Sequence, residues 1–368
     1  MVQQLERAPT SPPVDLPAAS TSTSPPPSSS SAPAPLPDSS SSNPPKRARK
    51  PRIVLEGTTD EILARNNTAA EPRFVDKLFS TAGKQWNQFY KHHAATPFFK
   101  DRHWTLREWP QLAALGEAAE AGEDGGELGD PTSGGQSKGK GKAVLEVGCG
   151  TGAFIYPLLE QYPSARFVAF DFAKKAVELT LSNANHDPAH CHIFQHDLTA
   201  PRAVLEDKLA QPPLEFGEPV VEFDFVSAVF VLSALDPAKQ AQAMQTLVSL
   251  LAPGGSLLFR DYALHDAAQL RFHSLPSASY AANPSLLSDS VPLYRRGDNT
   301  LTYFFTADDV RALVDGAVEA VNVERRSEGR SEVVLEGGVE VVEREMQNRA
   351  EQWGCTRRFV HGSWRRVR

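Results

Sequence analysis

The chain has 368 residues and a formal net charge of −7, and 40% of its residues are hydrophobic. This length suits one large or two small domains with a well-buried core, and the acidic balance argues against a nonspecific nucleic-acid coat. No run approaches eighteen consecutive apolar residues, so no transmembrane helix is predicted, and the N-terminus lacks the features of a secretory signal. The three cysteines have no CxxC spacing, which favours a reducing compartment over a disulfide scaffold or a zinc ribbon.

Residues 1–58 are expected to form a disordered tail. The first fifty residues hold 12 of the 29 prolines and 12 serines but no aromatic residue, so burial cannot offset the entropy of ordering them. A basic cluster at residues 46–50 closes the tail. It is interpreted as a solvated linker, with a nuclear address or a phosphate contact as alternatives. We expect a cytoplasmic protein, since a mitochondrial presequence would contain more Arg and less Pro.

Residues 59–112 form an aromatic and basic N-terminal extension. Two of its blocks, WNQFYKHH from Trp86 and FFKDRHW from Phe98, combine large rings with cationic side chains. Residues 113–142 are rich in Gly, first acidic and then rich in Lys. This composition predicts a flexible linker between the extension and the remainder of the chain, residues 143–368.

From residue 143 onwards, strand patterns alternate with helical patterns. Strands are predicted at 143–147, 166–171, 192–195, 223–232 and 256–260, with helices around 154–162, 173–183 and 237–251 and a turn at Pro253-Gly254-Gly255. Strands joined by helical segments indicate crossover units. The fold class predicted is therefore α/β, a mainly parallel sheet with helices on both faces.

A glycine loop follows the first of these strands. Residues 146–152 read E-x-G-x-G-x-G, which is tighter than the G-x-G-x-x-G of nicotinamide-binding folds. This loop resembles the first motif of class I S-adenosylmethionine-dependent methyltransferases. Asp171 ends the second strand, where a carboxylate can accept both ribose hydroxyls, and Asp197 follows the third, where such enzymes hold the adenine edge. Three such elements in order predict an S-adenosylmethionine site.

The segment after the fourth strand bears on the methyl acceptor. Methylases of exocyclic amino groups on nucleobases usually carry an Asn/Asp-Pro-Pro-Tyr-like motif there, whereas residues 229–235 of this chain read VFVLSAL. The interpretation as an exocyclic-amine methylase is weakened, and ring nitrogens or other nucleophiles remain open.

Several blocks together resemble one family, the tRNA 3-methylcytidine methyltransferases, which act on cytidine 32 of the anticodon loop. The blocks are WNQFYK (86–91), FFKDRHW (98–104), LEVGCGTG (145–152), FVLSA (230–234), LFRDY (258–262), RF (271–272), YFF (303–305) and QNR (347–349). The resemblance covers about residues 80–112 and 143–368, and it departs at the linker 116–142 and at an insertion around 327–342. It implies a Rossmann-like seven-stranded sheet, S-adenosylmethionine as cofactor and a tRNA anticodon stem-loop as partner. The need for a cognate aminoacyl-tRNA synthetase or another accessory protein stays open.

The resemblance also implies which residues bind the cofactor. Two aromatic residues of the extension would close over it, joined by the loop glycines and by residues that follow the strands: Trp86, Tyr90, Gly148, Gly150, Gly152, Asp171, Asp197, Leu198 and Val229. The alternative for the aromatic residues is the core side of an amphipathic helix.

The remaining candidates concern the RNA. Methylation at cytosine N3 makes the ring cationic, so a carboxylate such as Asp261 or an aromatic face such as Phe230 or Tyr262 should stabilise the transition state. Arg102 and His103 are predicted to act at the target base or the RNA backbone. The predicted substrate-binding residues are Lys100, Arg260, Arg349, Arg357 and Arg358. A solvated basic face and a charge-protected edge strand are the competing interpretations.

Two other functions stay open. The first is a small-molecule or protein methyltransferase on the same fold, and the second is a catalytically silent RNA-binding scaffold. The block FFKDRHW and the basic C-terminal stretch argue against the first, and the intact glycine loop argues against the second. Histidines at 186, 190, 192 and 196 straddle a loop and a strand with other predicted roles, so no metal site is expected.

Overall fold

The computed structural model of the chain describes residues 55–94, 100–117, 141–348 and 353–368. Most of the tail predicted at 1–58 and of the linker predicted at 113–142 lies outside these ranges, and both stay predictions. Phe98, Phe99 and Arg349 lie outside them as well.

Nine strands occur in the described ranges. In chain order they are β1 (Ala143–Val147), β2 (Arg166–Asp171), β3 (Cys191–Gln195), β4 (Phe223–Val229), β5 (Leu251–Tyr262), β6 (Leu293–Arg295), β7 (Leu301–Tyr303), β8 (Leu335–Asn348) and β9 (Trp353–Arg366). Seven of them form one sheet in the order β3-β2-β1-β4-β5-β9-β8, while β6 and β7 pair as a separate hairpin. The strands from β1 to β5 are parallel and the last two are antiparallel. The predicted seven-stranded, mainly parallel sheet is confirmed.

Eleven α-helices accompany these strands in the described part of the chain. They are α1 (Thr59–Leu63), α2 (Pro72–Ser80), α3 (Ala82–His92), α4 (Thr105–Glu108), α5 (Ile155–Gln161), α6 (Lys174–Leu181), α7 (Arg202–Leu209), α8 (Pro237–Ser249), α9 (Ala267–His273), α10 (Ser277–Ala282) and α11 (Ala307–Ser327). Short 3-10 turns lie at Pro110–Gly116, Leu214–Phe216 and Leu232–Ala234.

Both faces of the sheet are covered, as its apolar strands require. All five residues of β1 are buried. Leu145 and Val147 pack in one core cluster and Val144 packs in another, because successive side chains of a strand point to opposite faces. The second cluster also buries Trp109, Leu112 and other residues of the N-terminal extension. The extension is therefore part of the core, and its packed region continues to Gly116.

The largest differences from the predicted strand boundaries concern β4 and β5. β4 ends at Val229 rather than at residue 232, because Phe230 adopts a left-handed φ of 61° that no strand can continue. The predicted turn around Gly254 lies within β5, where the pairing with β4 shifts register as a β-bulge. A Cβ on Gly255 would come within 2.6 Å of the Phe223 carbonyl oxygen, so this bulge needs glycine.

Candidate active site

A cleft opens at the carboxyl ends of β1, β2 and β4, next to the point where the strand order reverses between β1 and β4. Ligands of open α/β sheets bind at such points. The cleft holds two adjoining cavities, of about 180 and 40 Å³. Both are lined by Trp86, Tyr90, Gly148, Phe230 and Ala234.

Two glycines of the loop line the cavities, since Gly148 lines both and Gly150 lines the smaller one. Gly148, Gly150 and Gly152 all have positive φ values, of 61°, 59° and 81°. A Cβ on Gly148 would lie 2.5 Å from the Val231 side chain, and one on Gly150 would lie 3.0 Å from the Tyr90 hydroxyl. The loop is thus restricted to glycine both by conformation and by space, which keeps its backbone open to a ligand.

The larger cavity has two carboxylates at the strand ends. Asp171 is 7% exposed and accepts hydrogen bonds from the Gly150 and Ala173 amides at 2.9 and 2.8 Å, so it links the glycine loop to the start of α6. Burial raises its pKa to about 6. Asp197 accepts from the Thr199 amide and hydroxyl and lines the cavity beside Leu198. Each carboxylate retains lone pairs, as binding of a nucleoside requires.

The smaller cavity lies beside a buried contact between an arginine and a glutamate. The Arg102 guanidinium is 3.5 Å from Glu146 Oε1 and 3.5 Å from the Val229 carbonyl oxygen. Glu146 Oε2 has no hydrogen-bond partner, and burial raises the pKa of this carboxyl to about 8 although Arg102 opposes the shift. A buried carboxyl oxygen without a donor, next to a guanidinium, matches the two charges of a zwitterion. The amino acid end of S-adenosylmethionine would present its ammonium to Glu146 and its carboxylate to Arg102.

This fit predicts pH-dependent cofactor binding. Glu146 carries a proton below about pH 8, and a bound ammonium favours its ionised carboxylate, so binding of the cofactor must expel this proton. The affinity for S-adenosylmethionine should therefore rise from pH 6 to pH 7.5, by up to about tenfold per pH unit. Calorimetry in buffers of different ionisation enthalpy should detect release of close to one proton at pH 7. Glu146→Gln should bind more weakly and lose the proton release, whereas an unchanged release in this variant would contradict the assignment.

Helix α3 covers the cleft. Trp86 lines both cavities, and Phe89 packs against Ala173 and Ala176 at the start of α6. The first turn of α6 has no cap from its own side chains, but the Asn87 side-chain oxygen accepts from the Lys175 amide at 2.9 Å. Asn87 thereby ties the covering helix to the segment that follows Asp171.

Asn87→Ala should therefore weaken S-adenosylmethionine binding by up to about tenfold, since it removes a helix cap worth roughly 0.5–2 kcal/mol and loosens α3. The neighbouring exposed Gln88 bonds only to His92 among the described contacts, so Gln88→Ala is the matched control. Equal cofactor affinities of the two variants, measured by calorimetry, would show that Asn87 does not hold the cover.

An aromatic group forms the outer wall of the smaller cavity. The Phe230 ring centroid lies 4.8 Å from that of Tyr262 and 5.6 Å from that of Phe359, and the Arg102 guanidinium lies 5.7 Å from it. The left-handed backbone of Phe230 is strained for a non-glycine residue, and such strain concentrates at functional sites.

Asp261 lies behind this wall. It is fully buried, accepts from the Ser233 and Tyr262 amides at 2.9 Å each, and is not among the residues that line either cavity. Burial raises its pKa to about 6. The side chain predicted as catalytic thus holds the turn after Phe230, which is the geometry of a positioning residue.

A family model described as "Methyltransferase domain" matches residues 145–257. Human tRNA N(3)-cytidine methyltransferase METTL6 is 36% identical over 271 residues, which cover 73% of this chain and 81% of that protein. Mettl2 of Drosophila melanogaster, a tRNA N(3)-methylcytidine methyltransferase, is 32% identical over 270 residues, covering 72% and 71%. This chain belongs to the tRNA N(3)-cytidine methyltransferase family.

The comparison with solved structures adds one distant similarity. Among solved structures, an S-adenosylmethionine-dependent methyltransferase from Anabaena variabilis is 12% identical, with a TM-score of 0.41, and the match covers 77% of this chain and 94% of that one. The cofactor is S-adenosylmethionine, as the spacing of the glycine loop predicts.

The basic residues expected to meet tRNA in this family have different surroundings. Lys100 and His103 are exposed and lie outside both cavities. Arg260 is buried between the rings of Trp104 and Phe359 and is 2.9 Å from Glu108. Its guanidinium faces the protein interior, so the geometry does not support the substrate contact predicted for it.

Glu108 connects three parts of the fold. Its carboxylate also receives the guanidinium of Arg344 from β8, at 2.9 Å, and that of Arg107. Burial opposes ionisation, but the hydrogen bonds from Arg344 and Arg107 and the charge of Arg260 hold the pKa of Glu108 at about 2. The N-terminal extension, β5 and β8 are thereby joined at one ionised carboxylate.

The C-terminal arginines are paired as well. Arg357 is 2.8 Å from the buried Asp266 and Arg358 is 3.3 Å from Glu343, both within the protein. Arg357 and Arg358 are partly exposed, and their contacts with RNA stay predictions. The contact predicted for Arg349 also stays a prediction, because this residue lies outside the described ranges.

In the described ranges, no group of three or more His, Cys, Asp and Glu side chains is placed to hold a metal ion, and no helix is long and apolar enough to cross a bilayer.

Proposed function

We propose that the chain transfers a methyl group from S-adenosylmethionine to N3 of cytidine 32 in the anticodon loop of a subset of tRNAs, in the cytoplasm. One observation carries the choice of acceptor. Among the described residues that line the smaller cavity, none is a carboxylate or a histidine. An amine or hydroxyl acceptor must lose a proton and calls for a base, whereas the N3 lone pair of cytosine is free to react.

When bound, S-adenosylmethionine supplies a methyl group on a sulfonium centre, so the ring nitrogen that accepts it gains a positive charge and loses no proton. The residues of the chain then have three tasks. Asp171, Glu146 and Arg102 hold the donor, α3 excludes water, and the Phe230 and Tyr262 rings stabilise the cationic base through their faces. An unpaired loop nucleotide can be turned into such a cavity at small cost.

The test combines cells and purified protein. Mass spectrometry of tRNA nucleosides from cells lacking the protein should show reduced 3-methylcytidine, and purified protein should restore it on tRNA from those cells. A transcript with uridine at position 32 should accept no methyl group. Methyl transfer to another nucleoside would overturn the choice of N3, and cofactor binding without any transfer would favour the scaffold.

A separate experiment tests whether the enzyme needs an accessory protein. Rates with purified protein alone and with protein plus extract from the deletion cells separate a self-sufficient enzyme from one that needs an accessory protein. If extract stimulates transfer, adding cognate aminoacyl-tRNA synthetases singly should reproduce the stimulation.

A further inference from the structure

A second guanidinium lines the smaller cavity, on the hairpin of β6 and β7. Arg296 follows β6, and its side chain is half-buried with the guanidinium carbon 5.2 Å from the Tyr262 ring centroid. The hairpin turn fixes its backbone, because the Arg296 amide donates to the Thr300 carbonyl at 2.8 Å and the Arg296 carbonyl accepts from the Asn299 amide at 3.0 Å. Arg296 is therefore presented to the cavity from a rigid turn.

The donors of Arg296 are free within the described ranges. A guanidinium has five N–H donors, and the Arg296 side chain makes no hydrogen bond or salt bridge to a described residue. Its contacts there are the Tyr262 ring and the charge of the buried Asp261. The nearby carboxylates are occupied: Asp298 accepts from Thr300, and Asp261 accepts from two backbone amides. The adjacent Arg295, by contrast, is buried and donates to Asn299 and to two backbone carbonyls.

A half-buried guanidinium whose N–H donors have no acceptor among the described residues, at the mouth of a reaction cavity, calls for an anion. It cannot lie over the ring that reacts, since a cation there would repel the charge that develops on the base. The anions that a loop nucleotide brings with it are its phosphates, and these stay at the mouth of a pocket when the base turns in. The carboxylate of the cofactor is the other candidate anion, but Arg102 beside Glu146 is already placed for it.

We propose that Arg296 binds a backbone phosphate of the nucleotide to be methylated and so positions it while Tyr262 and Phe230 receive the base. This inference rests on the proposed function, since it takes RNA as the substrate. It makes Arg296 a substrate-binding residue whose effect falls on RNA recognition and not on the methyl donor.

The test compares Arg296→Gln, Arg296→Lys and Arg326→Gln in the full chain. Arg326 is half-exposed on α11, pairs with Glu319 and Glu332 and lines neither cavity, so its substitution controls for the loss of one charge. With total tRNA from deletion cells as substrate, Arg296→Gln should raise the KM for tRNA about tenfold. It should also lower the slope of log affinity against log salt by roughly 0.7, the value for one phosphate contact on a single strand. Arg296→Lys should recover most of the affinity, because a phosphate accepts a point charge.

S-adenosylmethionine affinity, measured by calorimetry, should be the same in all three variants and the wild type. A KM and salt slope unchanged in Arg296→Gln would overturn the phosphate contact, and a loss of cofactor affinity would assign Arg296 to the cofactor carboxylate instead. If the wild-type chain methylates no tRNA, the proposed function fails. If the wild type is active and Arg296→Gln matches it, this inference alone fails.

Discussion

Asp171→Ala should weaken S-adenosylmethionine binding by roughly 30- to 1,000-fold, the equivalent of about 2–4 kcal/mol for two lost charge-assisted hydrogen bonds to the ribose. The carboxylate is 7% exposed, so water cannot replace it easily. It also holds the amides of Gly150 and Ala173, and its removal frees the glycine loop from the start of α6. Both effects act against the cofactor, and this makes Asp171 one of the two most sensitive positions in the cleft.

Calorimetric titration of the folded variant measures the loss. Asp187 provides the matched control, because it is a half-exposed aspartate that lines neither cavity and pairs with His190. Asp187→Ala should bind the cofactor like the wild type. An Asp171→Ala protein with a normal unfolding transition and normal cofactor affinity would remove Asp171 from the site.

The cofactor half of the cleft could be predicted because it depends on local sequence. Glycines at fixed spacing after a buried strand permit the positive φ values of the loop, and a carboxylate at the next strand end lies across the parallel sheet from them. The parallel direction of β1 to β5 follows from the alternation of strands and helices. These relations involve residues within a few turns of one another or on adjacent strands.

The contacts of the extension could not be predicted, because they join distant segments. Glu108 meets Arg260 and Arg344, which are 152 and 236 residues away along the chain. The FFKDRHW and LFRDY blocks carry the resemblance, yet nothing in their composition says that Arg260 points inward. Arg296 lies in a Gly-Asp-Asn turn whose composition predicts only a hairpin, and its proximity to Tyr262 depends on packing between β6, β7 and the sheet.

Arg102 is the second position of large expected effect, and its surroundings extend what the sequence predicts for it. The FFKDRHW block suggests an RNA contact, for which cofactor affinity would hardly change on substitution. The guanidinium instead lies next to Glu146 and the Val229 carbonyl oxygen, and the Arg102 amide donates to the Ala153 carbonyl at 2.8 Å. We therefore expect Arg102→Ala to lose at least about tenfold in both tRNA methylation and S-adenosylmethionine affinity, or about 1.4 kcal/mol in each.

Arg102→Lys separates charge from shape. A lysine keeps the positive charge but not the planar fork that matches a carboxylate, so it should recover only part of the cofactor affinity. The charge of Arg102 also lowers the pKa of Glu146. Without that charge the Glu146 carboxyl ionises only at higher pH. The pH range over which cofactor affinity rises should therefore shift to higher pH in Arg102→Ala but not in Arg102→Lys. A loss of methylation with unchanged cofactor affinity and an unshifted pH profile would return Arg102 to the RNA, and a normal rate of methylation would exclude it from both roles.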